Sequence, residues 1–106
     1  VAVSILHVND KQCRIVIDGE MTIDTVIELK DDLLFPLANY NEIEIDLACV
    51  SEIDVCGLQL LVRVKVVATV YGKSLRIVRH SYAVLALLRQ CDLKRFFCYP
   101  VVNTLQ

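Results

Sequence analysis

The residues best placed to do chemistry sit together in Ile53-Asp54-Val55-Cys56-Gly57-Leu58. A carboxylate, a thiol and a glycine stand between the alternating strand pattern that ends Ile45-Asp46-Leu47 and a strongly apolar helix pattern. Such a stretch presents a helix N-terminus, with its free N–H groups and positive dipole end, at the carboxyl end of a strand. In α/β domains that is a common place for binding or regulation. Asp54 is expected to cap the helix that begins near Val55 and to orient the loop for a partner, roles that coexist. Gly57 permits close backbone approach at the helix start. Cys56 has two readings: a thiol whose pKa a helix N-terminus lowers, open to redox switching, and a small space-filler, which is the plainer one.

Elsewhere the candidate groups do not assemble. His7 and His80 are the only histidines, and nothing near them has zinc-ligand spacing, so no metal is expected. Cys13, Cys49, Cys56, Cys91 and Cys98 contain no CxxC pair and are odd in number, which fits reduced cytoplasmic thiols better than a disulfide framework. His80-Ser81 lacks a carboxylate or nucleophile at a recognisable spacing, and Ser81 reads as a helix cap. The row Glu42-Glu44-Asp46 reads as the wet face of a half-exposed strand, not as a paired-carboxylate site. Gly19 is a lone glycine in a turn, and without a glycine-rich loop a nucleotide site has no support. Ser51 and Thr22 are hydroxyls expected on loops; modification there competes with ordinary turn and capping roles. The expectation is no cofactor and no enzyme.

Length and composition agree with that restraint. At 106 residues the chain is expected to be a single domain over 1–106 with a real core. Its apolar content is 56%, yet runs such as Ala83 to Leu88 fall far short of the roughly 20 residues a membrane span needs. The net charge is −2 and no basic stretch interleaves with aromatics, which disfavours nucleic acid. No secretory leader is visible, and the start at Val1 without Met is what an excised piece of a longer chain would show.

The elements that must position the loop follow from periodicity. Residues 1–8 and Cys13 to Ile17 read as two strands joined at Asn9-Asp10, an opening hairpin broken by Asp18-Gly19-Glu20. Thr22 or Asp24 can cap a helix whose apolar positions are Ile23, Val26, Ile27, Leu33, Leu34 and Leu37, with a kink or early end expected around Phe35 because of Pro36. Glu42 to Leu47 is a strand with period two. Leu58 to Tyr71 is the clearest helix, closed by Gly72, with a core stripe of Leu60, Leu61, Val64, Val67, Ala68 and Tyr71. On its opposite side Val62, Val66 and Val70 recur at intervals of four, an exposed ridge that reads either as a partner surface or as a face another element covers. Leu75 to Val78 is a strand, Ser81 caps a helix to about Cys91, and Phe97 to Val102 is expected to add an edge strand. Strands and helices alternating after a hairpin define an α/β domain with a mixed sheet.

The loop Ile53-Asp54-Val55-Cys56-Gly57-Leu58 resembles that of STAS domains, the module of bacterial anti-sigma factor antagonists and sulfate-transporter tails. Gly19-Glu20, Ile45-Asp46-Leu47, Gly72-Lys73 before Leu75-Arg76-Ile77-Val78, and Ala83-Val84 through Leu93 match in order, so the resemblance covers nearly the whole chain. It implies a mixed four- to five-stranded sheet with three to four helices packed mainly on one face. It also implies partner switching: the unmodified domain binds a serine kinase that doubles as an anti-sigma factor, and phosphorylation of the loop releases it. The acceptor in that scheme is the Ser or Thr after the loop aspartate. Here that position is Val55, which has no hydroxyl, so no phosphorylation is expected there, and Cys56 is no substitute for a serine kinase.

The resemblance of Gly19-Glu20-Met21-Thr22 and Arg79-His80-Ser81 to single-domain members near chemotaxis genes adds a chemotaxis-type kinase as a candidate partner. Subunits of lipid-transport ABC systems and the STAS tail of an anion transporter are the alternatives. The expected partner surface comprises Glu20, Thr22, Asp54, Val55, Cys56, Gly57, Gln59, Val62, Arg63 and Val66. The expected setting is cytoplasmic and bacterial, with no direct membrane insertion and with homodimer formation left open.

Overall fold

A computed structural model describes residues 1–97. Strand β1 (Ala2–His7) pairs antiparallel with β2 (Gln12–Met21), Ile5 opposite Ile15. The Asn9 side chain accepts from the N–H groups of Lys11 and Gln12 at 2.8 and 3.0 Å, which closes the hairpin where expected. Next come α1 (Val26–Leu34), a 3-10 turn (Phe35–Ala38), β3 (Glu42–Ile53), α2 (Val55–Val70), β4 (Ser74–His80), α3 (Tyr82–Gln90) and the short α4 (Lys94–Phe97). The sheet order is β1-β2-β3-β4, with β2, β3 and β4 mutually parallel. Parallel neighbours need crossovers, and α1 and α2 supply them on one face. Beneath them lie Ile15, Ile17, Ile43, Ile45, Leu47 and Ile77, closed by Leu29 and Leu33 of α1 and Leu61 and Val64 of α2. The four strands match the expected mixed sheet. Phe97 belongs to α4 and is buried, and the rest of the expected edge strand, 98–102, lies outside the described residues, as does Cys98.

Several local expectations are corrected. Asp18-Gly19-Glu20 does not break β2: the strand runs on to Met21, paired with Ile53, and register shifts absorb the irregularity. Gly19 takes φ +115 there, a conformation that suits a residue without a Cβ. Strand β3 is extended to match and contains Ser51, which is therefore on a strand rather than a loop. Helix α1 starts at Val26 because Thr25 and Val26 donate to the Thr22 carbonyl, making 22–25 a turn. Its buried positions are Leu29 and Leu33, continued by Leu37 in the 3-10 turn, so Ile23 before the helix and Ile27 within it face outward, 62% and 86% exposed. Pro36 ends α1 where expected, handing over to the 3-10 turn.

In α2, Leu60, Leu61, Val64 and Ala68 form the core stripe, but Tyr71 lies past the helix end and is exposed. Val62 is half-buried, packed against the core, so the outer ridge reduces to Val66 and Val70. The flank carrying Val62 and Lys65 leans on β4: Lys65 Nζ donates to the Leu75 carbonyl at 2.7 Å. Burial there pushes the Lys65 ammonium pKa down. Gly72, with φ +69, closes the helix, and the N–H of Lys73 reaches back to the Ala68 carbonyl at 2.8 Å. Ser81 caps α3 through its hydroxyl, which accepts from the Val84 N–H at 3.2 Å.

Candidate functional site

Strand β3 passes into α2 with a single residue between them, Asp54, in extended conformation. One carboxylate oxygen accepts from the Gly57 N–H at 3.0 Å, as a helix cap should. The other accepts from the Ile23 N–H at 2.9 Å, and the N–H of Asp54 donates to the Met21 carbonyl at 3.2 Å. Asp54 thus ties the start of α2 to the turn that follows β2. The N–H of Gly57, then that of Ile23, hold its carboxyl below the usual carboxylate range. With its oxygens accepting from backbone donors, this group is an organiser of two segments.

Gly57 explains why those segments can meet. A Cβ built there would lie 2.1 Å from the Met21 carbonyl oxygen and 3.0 Å from Cγ1 of Ile53. Only a glycine lets the first turn of α2 rest on the end of β2. Thr22 is also buried, with its hydroxyl 3.4 Å from the Asp24 N–H it accepts. Thr22, Gly57 and Val62 therefore sit beneath or beside the surface rather than on it. Glu20, Val55, Gln59, Arg63 and Val66 are exposed, Val55 by 55%, and Asp54 and Cys56 are half-buried.

Three residues of this neighbourhood lie outside the expected surface. Ile23 is anchored to Asp54 through its backbone, and Ile27 and Lys30 line a groove with Cys56, Gln59 and Arg63. The available signal was the pair Ile23 and Ile27, which falls out of step with the Leu29-Leu33-Leu37 stripe. Around Val55 the surface is accordingly more apolar than expected.

On the sheet face away from α1 and α2, the carboxylates of β3 behave differently from the expectation. Glu44 and Asp46 are buried, not solvated. Arg14 of β2 and Arg76 of β4 both donate to Glu44, at 3.0 and 2.7 Å. Asp46 accepts from Arg79 at 2.6 Å and from the Ala48 N–H at 3.0 Å. Because β3 is flanked on both sides, its carboxylates are covered by arginines from neighbouring strands. Burial pushes the Glu44 carboxyl up, but the hydrogen bonds and charges of Arg14 and Arg76 outweigh it and leave the pKa lowered. For Asp46 burial is likewise outweighed, by Arg79, the Ala48 N–H and Arg14. Every oxygen is engaged in structure here.

Among the described residues, Cys13 is buried, Cys56 half-buried, and Cys49 and Cys91 exposed, all as free thiols. Burial, then the Glu44 charge, raises the Cys13 thiol pKa. No group of three or more His, Cys, Asp or Glu side chains among the described residues is arranged to hold a metal ion. No helix among them is long and apolar enough to cross a membrane.

The four-stranded mixed sheet, with an aspartate-capped helix following the inner strand β3, agrees with one sequence family. The sequence model described as "Mlab, STAS domain" matches residues 6–103, and the chain belongs to that family. Solved structures share the fold. A candidate anti-sigma factor antagonist from Thermotoga maritima is 21% identical, with a TM-score of 0.80 over 91% of this chain and 83% of that one. The anti-sigma factor antagonist SpoIIAA in its unphosphorylated form is 14% identical, with a TM-score of 0.75 over 91% and 85%. An anti-sigma factor antagonist from Mycobacterium paratuberculosis is 19% identical, with a TM-score of 0.73 over 95% and 88%. No curated protein matches the chain.

Proposed function

We propose that this STAS domain is a non-catalytic protein-interaction module of the anti-sigma factor antagonist type, acting in the cytoplasm, whose surface at the start of α2 holds its partner without release by phosphorylation. The observation that carries the reading is Val55. It occupies the first helical position after Asp54, is 55% exposed, and carries two methyl groups where a switchable member carries a hydroxyl. Exposed Ile23 and Ile27 extend the apolar patch, and Glu20, Gln59, Arg63 and Val66 give it a mixed rim. Apolar side chains grouped at a helix start favour association, because covering them removes apolar area from water. The partner that fits is a kinase-like ATPase of the anti-sigma or chemotaxis class.

A second reading, a subunit of a lipid-transport ABC system, is favoured by the same missing hydroxyl, since a permanent subunit has no need of release. Affinity capture from the source cell, with bound proteins and the intact mass of the bait measured together, separates the two. A histidine-kinase-like ATPase on an unmodified bait supports the first reading, and transporter subunits support the second. A bait carrying the added mass of a phosphoryl group overturns the claim that the switch is absent.

A further inference from the structure

We propose that the trough between α1 and α2 seats an acidic amphipathic helix of a partner protein, an inference that rests on the partner-surface reading above and specifies the chemistry of what docks. The trough has two lobes. One, of about 480 Å³, lies beside Cys56 over Val26, Ile27 and Leu60. The other, of about 510 Å³, lies toward the end of α2 over Leu34, Leu37 and Val67, with Tyr71 as its shoulder. Arg63 borders both, so the two lobes adjoin at its side chain along α2. Ile27 and Tyr71 stand 86% and 70% exposed, apolar walls with nothing against their outer faces among the described residues.

Charge selects the occupant. The chain is net acidic, with 13 carboxylate side chains against 11 basic ones, yet each charged residue lining either lobe is a cation: Lys30, Arg63 and Lys73. The side chains of Lys30 and Arg63 make no hydrogen bond or ion pair among the described residues, and the Lys73 ammonium donates only to the neutral amide oxygen of Asn41 at 3.1 Å. An apolar floor bordered by unneutralised cations is complementary to a helix with an apolar stripe and carboxylates beside it. Length agrees as well: α2 has 16 residues, so its groove accommodates a helix of about four turns at the usual rise per residue. A helix meets such a channel through residues at i, i+3, i+4 and i+7, which is how two helices already pack here against the sheet.

The test uses the full chain and two fluorescent probe peptides of about 15 residues, the length of four helical turns. Both carry leucine at the helical stripe positions; one has glutamate and the other lysine at the remaining positions. Binding is followed by anisotropy and mapped by amide NMR. The expected result is saturable binding of the glutamate peptide, at least about tenfold tighter than its lysine twin, with shifts at Ile27, Lys30, Leu60, Arg63 and Val67. The exposed double change Lys30→Glu with Arg63→Glu should reverse the preference while leaving the fold intact by circular dichroism. Equal binding of the two peptides, no binding, or shifts outside the trough would overturn the inference. So would binding to phosphatidylglycerol vesicles in place of the glutamate peptide. Failure of the probe with partner capture still dependent on Val55 removes this inference alone; a bound probe with capture indifferent to Val55 removes the partner-surface reading instead.

Discussion

Changing Gly57 to alanine should unseat the start of α2. At an ordinary helical position the exchange would stabilise by about 1 kcal/mol, from helix propensity. Here the new Cβ would fall 2.1 Å from the Met21 carbonyl oxygen and 2.8 Å from its carbon, where real Cβ atoms come no closer than about 3.0 Å. The obstacle is backbone, and that carbonyl also accepts from the Asp54 N–H, so it cannot swing aside freely. Overpacking costs about 1–3 kcal/mol, and a rigid main-chain clash belongs at or beyond the upper end. The net expectation is a loss of about 2 kcal/mol, or about 10 °C in melting midpoint for a domain of this size. Urea and thermal unfolding followed by circular dichroism measure it. The control is Gly72→Ala, which meets nothing within 4 Å and has only φ +69 against it, costing about 1 kcal/mol. A Gly57→Ala chain as stable as the parent would refute the close approach of α2 to β2.

Acid should weaken the fold through the arginine-covered carboxylates. Glu44 and Asp46 have lowered pKa values when folded, so the unfolded chain takes up their protons first. Their stabilisation is therefore complete above the usual carboxylate range near pH 4, and is lost as pH falls through the lower folded values. Urea midpoints between neutral pH and about pH 3 should show the decline, with a flatter acid limb in Glu44→Gln with Asp46→Asn. Ser81→Ala should cost about 1 kcal/mol by removing the cap on Val84, read as a lower urea midpoint with an unchanged slope.

Much of the fold was legible because its signals are local. The hairpin turn at Asn9, the stop at Pro36, the caps at Asp54 and Ser81 and the closure at Gly72 each depend on residues within a few positions. What the sequence hid depends on distant partners. Glu44 reads as a solvated residue until Arg14 and Arg76, 30 and 32 positions away, are laid beside it. The length of β3 depends on β2 continuing past Gly19, and the outward turn of Ile27 on where α1 begins. At the site, the role of Asp54 as a cap was visible, whereas its bond to the Ile23 N–H joins segments 31 residues apart. That second bond holds the backbone of Ile23 at Asp54, the residue before Val55.

The most direct test of the account is the affinity of a captured partner for the parent chain and for Val55→Asp, measured by calorimetry with both folds checked. An aspartate at the first turn of α2 suits the helix dipole, so the fold should hold while a charge enters the apolar patch. The expected result is tight binding by the unmodified parent and a loss of about tenfold or more in the variant, the equivalent of at least about 1.4 kcal/mol. Equal affinity for both chains would mean that the start of α2 is not where the partner sits.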